Sequence, residues 1–129
     1  MKKTVLLLGL FLFLTQCKVN QFTGKKTLQI YGNKTVLPQA FKAYDEFIST
    51  NKVIRNTPAS NQIQDVGKRI TQAAEAYFKY KQNPNYLDDY AWEYNLVEDK
   101  AINAWCMPGG KIVFYTGIMD IAKTEAGIA

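Results

Sequence analysis

An α+β fold, two amphipathic helices followed by a three-stranded antiparallel meander, is the expectation from three observations. Apolar residues recur at helical spacing in two stretches, 37–49 and 62–81. After Pro84 they give way to alternating or apolar runs of strand length at 92–97, 102–107 and 112–116. A Pro108-Gly109-Gly110 reversal separates the last two runs, as an antiparallel hairpin requires. Helices that precede strands, instead of alternating with them, favour α+β over a parallel α/β order.

The first element read from the chain is a targeting segment. Lys2-Lys3 leads into an apolar body, Val5 to Leu14, that ends at Thr15-Gln16-Cys17. The body is shorter than the roughly 20 residues of a comfortable membrane span. The exit resembles a bacterial lipoprotein signal, with Leu14-Thr15-Gln16-Cys17 as the lipobox and Cys17 as the acylated new N-terminus; Gln16 departs from the usual small residue before the cysteine. The alternative is an ordinary signal peptide with an incidental cysteine. The expected organisation is therefore a signal at 1–16, a lipidated N-terminus and tether at 17–35, and a folded portion at 36–129. The tether holds one weak strand, 27–31.

In the helix expected over 37–49, Pro38 suits the first turn, and Leu37, Phe41, Tyr44 and Ile48 share a face. The cluster Asn56-Thr57-Pro58-Ala59-Ser60-Asn61 announces the next helix, with Ser60 or Asn61 as its cap. Its apolar stripe is Ile63, Val66, Ile70, Ala73 and Tyr77, opposite Asp65, Lys68 and Gln72. In the strand at 92–97, Trp92, Tyr94 and Leu96 share one face. Residues 118–122 form a short helical turn, and Thr124 caps a last helix whose first turn holds Glu125. Its apolar members, Ala126, Ile128 and Ala129, have little to pack against, and apolar area on the second helix and the meander is expected to meet water.

Composition narrows the function classes. The chain has 129 residues, 47% of them hydrophobic, which is a globular value and room for one domain. The net charge of +5 falls to +3 without Lys2 and Lys3, and the other basic residues are scattered through the sequence, which argues against nucleic acid as a partner. There are two cysteines and no histidine. With Cys17 acylated, Cys106 has no disulfide partner; between Trp105 and Met107 it reads as a buried, inert thiol. A cysteine nucleophile would lack its usual imidazole base.

Trp92-x-x-x-Leu96, then Asn103-Ala104-x-x-x-Pro108-Gly109-Gly110, then an apolar strand ending Thr116-Gly117, carry a resemblance to a known family. The segment resembles the stretch ahead of the catalytic helix in the zinc metallopeptidases that include the HtpX heat-shock protease, the CAAX-prenyl protease and periplasmic lipoprotein peptidases. Thr124-Glu125-Ala126 is similar to the acidic lead-in to that helix. Phe22-Thr23-Gly24-Lys25-Lys26 and Asp65-Val66-Gly67-Lys68-Arg69-Ile70 resemble the lipoprotein branch.

The resemblance implies a gluzincin-like peptidase domain, here incomplete, acting on protein or peptide substrates with zinc as cofactor. Such enzymes place two imidazoles at i and i+4 on one helix, His-Glu-x-x-His, around a single Zn²⁺. Without histidine this chain is expected to bind no zinc and to lack catalytic and metal residues, the ligands falling past Ala129. What carries over is a substrate-binding rim: Asn103, Ala104, Pro108, Gly109 and Gly110, beside which an extended peptide would pair. Equally, these residues serve only the turn. By the same resemblance the protein is a metalloendopeptidase tethered through Cys17 to a bacterial membrane, extracytoplasmic in the cell envelope. The alternative is a non-catalytic, lipid-anchored lipoprotein that binds peptides or partners.

Overall fold

The computed structural model describes residues 17–20, 23–28 and 32–129. The expected signal at 1–16, Phe22 of the lipoprotein-like motif, and residues 29–31 of the weak strand lie outside the described residues. Internal contacts divide the chain into two units, Met1–Thr35 and Val36–Ala129.

In the first unit, β1 (Cys17–Val19) pairs antiparallel with β2 (Lys26–Leu28), Cys17 opposite Leu28 and Val19 opposite Lys26. The loop closes on Asn20. Its N–H donates to the Lys25 carbonyl at 2.8 Å, its carbonyl accepts from Gly24 at 2.8 Å, and its side-chain oxygen accepts from the Thr23 N–H at 2.9 Å. A hairpin thus stands where an extended segment was expected. The local signal was Asn20 with Thr23-Gly24, turn chemistry that offers backbone groups an internal partner.

Helix α1 (Asn33–Thr50) begins four residues earlier than expected and carries Pro38 inside it. Leu37 and Tyr44 are buried along its inner face, and Phe41 and Ile48 on the same face are half-buried, as the spacing required. Its end is sealed by side chains: Ser49 and Thr50 hydroxyls donate to the Glu46 carbonyl, and the Asn51 amide to that of Phe47. A two-residue strand not foreseen from the sequence, β3 (Val53–Ile54), follows.

Helix α2 (Pro58–Tyr80) is capped by Thr57, one turn before the expected Ser60 or Asn61. Thr57 and Ser60 form a reciprocal capping box, and Pro58 occupies the first turn, where its missing N–H costs nothing. The buried line on α2 is Ile63, Val66, Gly67 and Phe78; of the expected stripe, Ile70, Ala73 and Tyr77 are on the exposed side. After a 3₁₀ turn at Pro84–Leu87 come β4 (Glu93–Val97), β5 (Ala104–Met107) and β6 (Lys111–Tyr115).

These strands do not form a meander. The sheet is mixed and four-stranded in the order β3-β4-β6-β5, with β4 parallel to β6 and both outer pairs antiparallel. The β5–β6 hairpin is as expected, but it docks with β6, not β5, against β4. The connector 98–103 has the length to step across one strand position, about 10 Å for two strand spacings. It then arches over the end of β6, where the Gly117 N–H donates to the Asp99 carbonyl at 2.8 Å and the Thr116 hydroxyl to the same oxygen at 2.8 Å. A side chain at Gly117 would collide with the Lys100 and Ala101 carbonyls, so the connector lies this close only over glycine.

One sheet face packs under α1 around Tyr44, Val97 and Val113; the other packs under α2 around Ile63, Val66, Tyr94 and Leu96. The last helix, α3 (Glu125–Ile128), is capped by the Thr124 hydroxyl and seats Ile128 in the α2-side core. That residue was expected to lack packing. Beside Ala122, the other buried members of its cluster come from α2 and β4, far away in sequence.

Candidate functional site

Strand β5 is an edge of the sheet: one side pairs with β6 and the other has no strand among the described residues. Its alternation splits its side chains between the faces. Trp105 and Met107 point into the α1-side cluster, while Cys106 pairs with Ile112 on the α2 side and is exposed. The expectation of a buried thiol is therefore wrong. On an edge strand, the helix covering the central strands does not reach every outward residue.

Strand β5 is held from the α1 side. The Trp105 ring meets Phe47 edge-on at 4.9 Å and Tyr44 edge-on at 6.3 Å, and its indole N–H donates to the Tyr115 hydroxyl at 3.1 Å. The strand's upper end is tied by the Tyr115 N–H donating to the Asn103 carbonyl at 3.1 Å. Its lower end is the glycine turn. Gly109 and Gly110 have φ of +86° and +83°, in the region that disfavours side chains. A side chain at Gly110 would fall within 2.5 Å of the Trp92 ring, and one at Gly109 would strike the Phe41 ring. The Gly109 and Gly110 carbonyls accept from the N–H groups of Ala91 and Glu93, both at 2.9 Å. The rim residues thus divide: Asn103 and Pro108 are exposed, Ala104 is half-buried, and the two glycines are buried under aromatic rings.

Beneath the turn lies a charged group. Lys111, only 4% exposed, pairs with Glu93, its neighbour across the β4–β6 ladder. Its ammonium also sits 5.0 Å from the Phe41 ring and 5.2 Å from the Tyr44 ring, so two aromatic faces and one carboxylate replace its hydration. Tyr44 in turn accepts from the Asn95 amide at 2.7 Å. Burial pushes the Tyr44 phenol up to about 12, with Glu93 adding to the rise and the Asn95 bond opposing it. Burial likewise raises Tyr90 and Tyr94. The Tyr94 hydroxyl bonds to Thr71, and its carbonyl accepts from Gln64, which fastens α2 to β4.

The sequence profile of peptidase family M48 matches residues 59–129, from the first turn of α2 to α3 and including the edge strand and its turn. The chain belongs to peptidase family M48. Among curated proteins, this M48 chain is similar to mitochondrial metalloendopeptidase OMA1 of Arabidopsis thaliana, 38% identical over 45 residues, or 35% of this chain and 9% of that protein. The protein of the same name from Saccharomyces cerevisiae is 32% identical over 74 residues, 56% of this chain and 21% of the relative. That of Schizosaccharomyces pombe is 37% identical over 43 residues, 33% and 13%. The chain spans about a tenth to a fifth of the length of these relatives. No solved structure matches it significantly.

An M48 zinc centre needs donors that the described residues do not bring together. No group of three or more His, Cys, Asp or Glu side chains among them could hold a metal ion. The nearby carboxylates are engaged singly: Glu93 with Lys111, Glu98 with Lys52, Glu125 with Arg69 at 2.6 Å, and Asp99 accepting from the Ala101 N–H at 2.8 Å. Carboxylates engaged one by one on separate elements, with no imidazole in the chain, do not fit the convergent set of histidine and carboxylate ligands of a catalytic zinc.

Sequence reasoning missed Lys111, Glu93, Phe41 and Trp92 as supports of the turn. A lysine opening a strand reads as solvated, and its aromatic cover comes from α1, some seventy residues upstream. The one available signal was Gly109-Gly110 itself, two adjacent positions without side chains beside an aromatic-rich chain.

Proposed function

We propose that this chain is the N-terminal part of a lipid-anchored, extracytoplasmic zinc metalloendopeptidase of the periplasmic lipoprotein type, acting on envelope proteins. In this reading, 1–16 is a signal, 17–35 carries the anchor at Cys17, and 36–129 begins the peptidase domain. The zinc ligands come from polypeptide outside the 129 residues. The observation that carries the reading is the position of β5, the strand of the Asn103-to-Gly110 motif, at the sheet edge. An edge strand offers main-chain donors and acceptors to an extended peptide, which gives affinity without dictating sequence. Asn103 and Ala104 meet the peptide backbone; Pro108, Gly109 and Gly110 fix where the edge ends.

Two further facts support it. The M48 match runs through α3, and the curated relatives are named metalloendopeptidases. Helix α3 starts at a capped Thr124 and is seated by Ile128 in the α2-side core, so a longer helix continuing from it would start beside the sheet at a defined angle.

Casein cleavage by a polypeptide extended past Ala129 through a His-Glu-x-x-His helix tests the proposal. Cleavage that a chelator abolishes and zinc restores, with none by residues 17–129 alone, is the expected result. A folded extended protein that binds peptide but never cleaves it would contradict the proposal and favour the non-catalytic, lipid-anchored binding lipoprotein.

A further inference from the structure

The division at Thr35 uncovers a charge asymmetry that the whole-chain balance averages out. The unit Met1–Thr35 contains Lys2, Lys3, Lys18, Lys25, Lys26 and Lys34 and no acid. The unit Val36–Ala129 holds the other ten bases and all eleven acids, a net of 10 − 11 = −1. Residues 17–35 alone keep four of the lysines. Three of these, Lys18, Lys25 and Lys26, belong to the β1–β2 hairpin: Lys18 opposite Thr27, Lys26 opposite Val19, and Lys25 closing the loop onto Asn20. Lys25 and Lys26 are exposed, and so is the aliphatic Val19 that faces Lys26 across the ladder. A small two-stranded ribbon therefore combines cations and apolar surface, with no Asp or Glu in its own unit.

We propose that the β1–β2 hairpin is a membrane-surface element that binds the headgroups of anionic phospholipids. Its location at the bilayer rests on the reading of Cys17 as the anchor; its chemistry does not. A basic patch beside a lipid anchor adds electrostatic attraction to an anionic surface on top of the hold of the acyl chains. Here that patch starts at the residue that would carry the chain. Each lysine near an anionic surface strengthens binding by roughly fivefold, an effect that fades beyond about one Debye length. The register puts Lys18 next to Cys17 in β1 and Lys26 opposite Val19, two residues along the ribbon from it. A nucleic acid would satisfy the same charges, but the exposed Val19 among them and the anchor residue Cys17 in the same strand favour the lipid surface.

Unacylated residues 17–129 are tested by co-sedimentation with phosphatidylcholine vesicles, with and without about one-third phosphatidylglycerol, at low salt and at about 0.5 M salt. Binding to the anionic vesicles alone, weakened more than tenfold by salt, is expected. The K18Q/K25Q/K26Q variant loses roughly a hundredfold of that binding, whereas K42Q/K52Q/K68Q, altered only in the other unit, stays within about twofold. Equal partition into both vesicle types, equal loss in the two variants, or preference for a single-stranded oligonucleotide over anionic vesicles would each overturn the proposal. Acylation at Cys17 is read separately from the mass of the protein made in cells, so failure of the anchor and failure of the hairpin are distinguishable.

Discussion

The two faces of the sheet are held by different forces. Under α1 the contacts are directional: Lys111 with Glu93 and two aromatic rings, Asn95 with Tyr44, and Trp105 with Tyr115. Under α2 an aliphatic cluster, Ile63, Val66, Leu96, Ala122 and Ile128 around the Tyr94 ring, does most of the packing, Gln64 and Thr71 adding two bonds to Tyr94 but none to the edge strand, and coverage stops before Cys106. Directional bonds fix orientation, and apolar burial fixes only proximity. The α1 face thus sets the position of the edge strand and its turn, while the α2 face receives the start of α3 and leaves the edge accessible on its side.

The sharpest way to break this contrast is at the turn. Gly110→Ala combines a positive φ with an overlap on Trp92, and its cost is expected to be about 3 kcal/mol or more in urea unfolding. A cost below about 1 kcal/mol would mean that the turn relaxes and does not anchor the edge.

Tyr44→Phe probes the directional bonds more gently. At neutral pH the loss of the Asn95 bond should cost about 1 kcal/mol. Because the folded phenol lies above its ordinary value, at about 12, the folded state holds its proton longer than the unfolded chain. That stability is full below pH 10 and is lost as pH rises from 10 towards 12. The Phe variant should show a shallower alkaline decline, by roughly 2 kcal/mol across that window. Identical alkaline profiles would sever Tyr44 from the α1-side network.

On the other face, Arg69→Ala should cost no more than about 0.5 kcal/mol, since its bond to Glu125 joins two side chains that are more than half exposed. A larger loss would show that α3 is docked by charge and not by Ile128. Cys106→Ser should be neutral within about 0.5 kcal/mol, and Cys106 of the native protein should react with a thiol reagent at nearly the unfolded rate. Strong protection of Cys106 would mean that the α2 side of the edge is closed.

These differences also explain what could be read from the sequence. Both long helices, the three longer strands and the hairpin were legible, because period 3.6, period 2 and turn chemistry are local properties. The pairing of β4 with β6 was not: an apolar strand pattern is the same whether its neighbour is the next strand or the one after. The drift of the buried line on α2 from Ile70 and Tyr77 to Gly67 and Phe78 was set by its neighbours, the Tyr94 ring of β4 against Gly67 and the Tyr86 ring of the 3₁₀ turn stacked on Phe78, which the helix's own periodicity does not contain. At the candidate site the motif Asn103 to Gly110 was visible, but its edge position emerged only with the strand order. The Lys111 cage stayed hidden because its walls come from α1 and β4.

Zinc content of purified protein tests most directly the claim that this chain builds the edge and its supports while the metal donors lie elsewhere. Residues 17–129, folded and dialysed against trace zinc, should retain well under one equivalent, and a polypeptide extended through His-Glu-x-x-His should retain about one per chain. One tightly held equivalent on residues 17–129 alone would contradict the account.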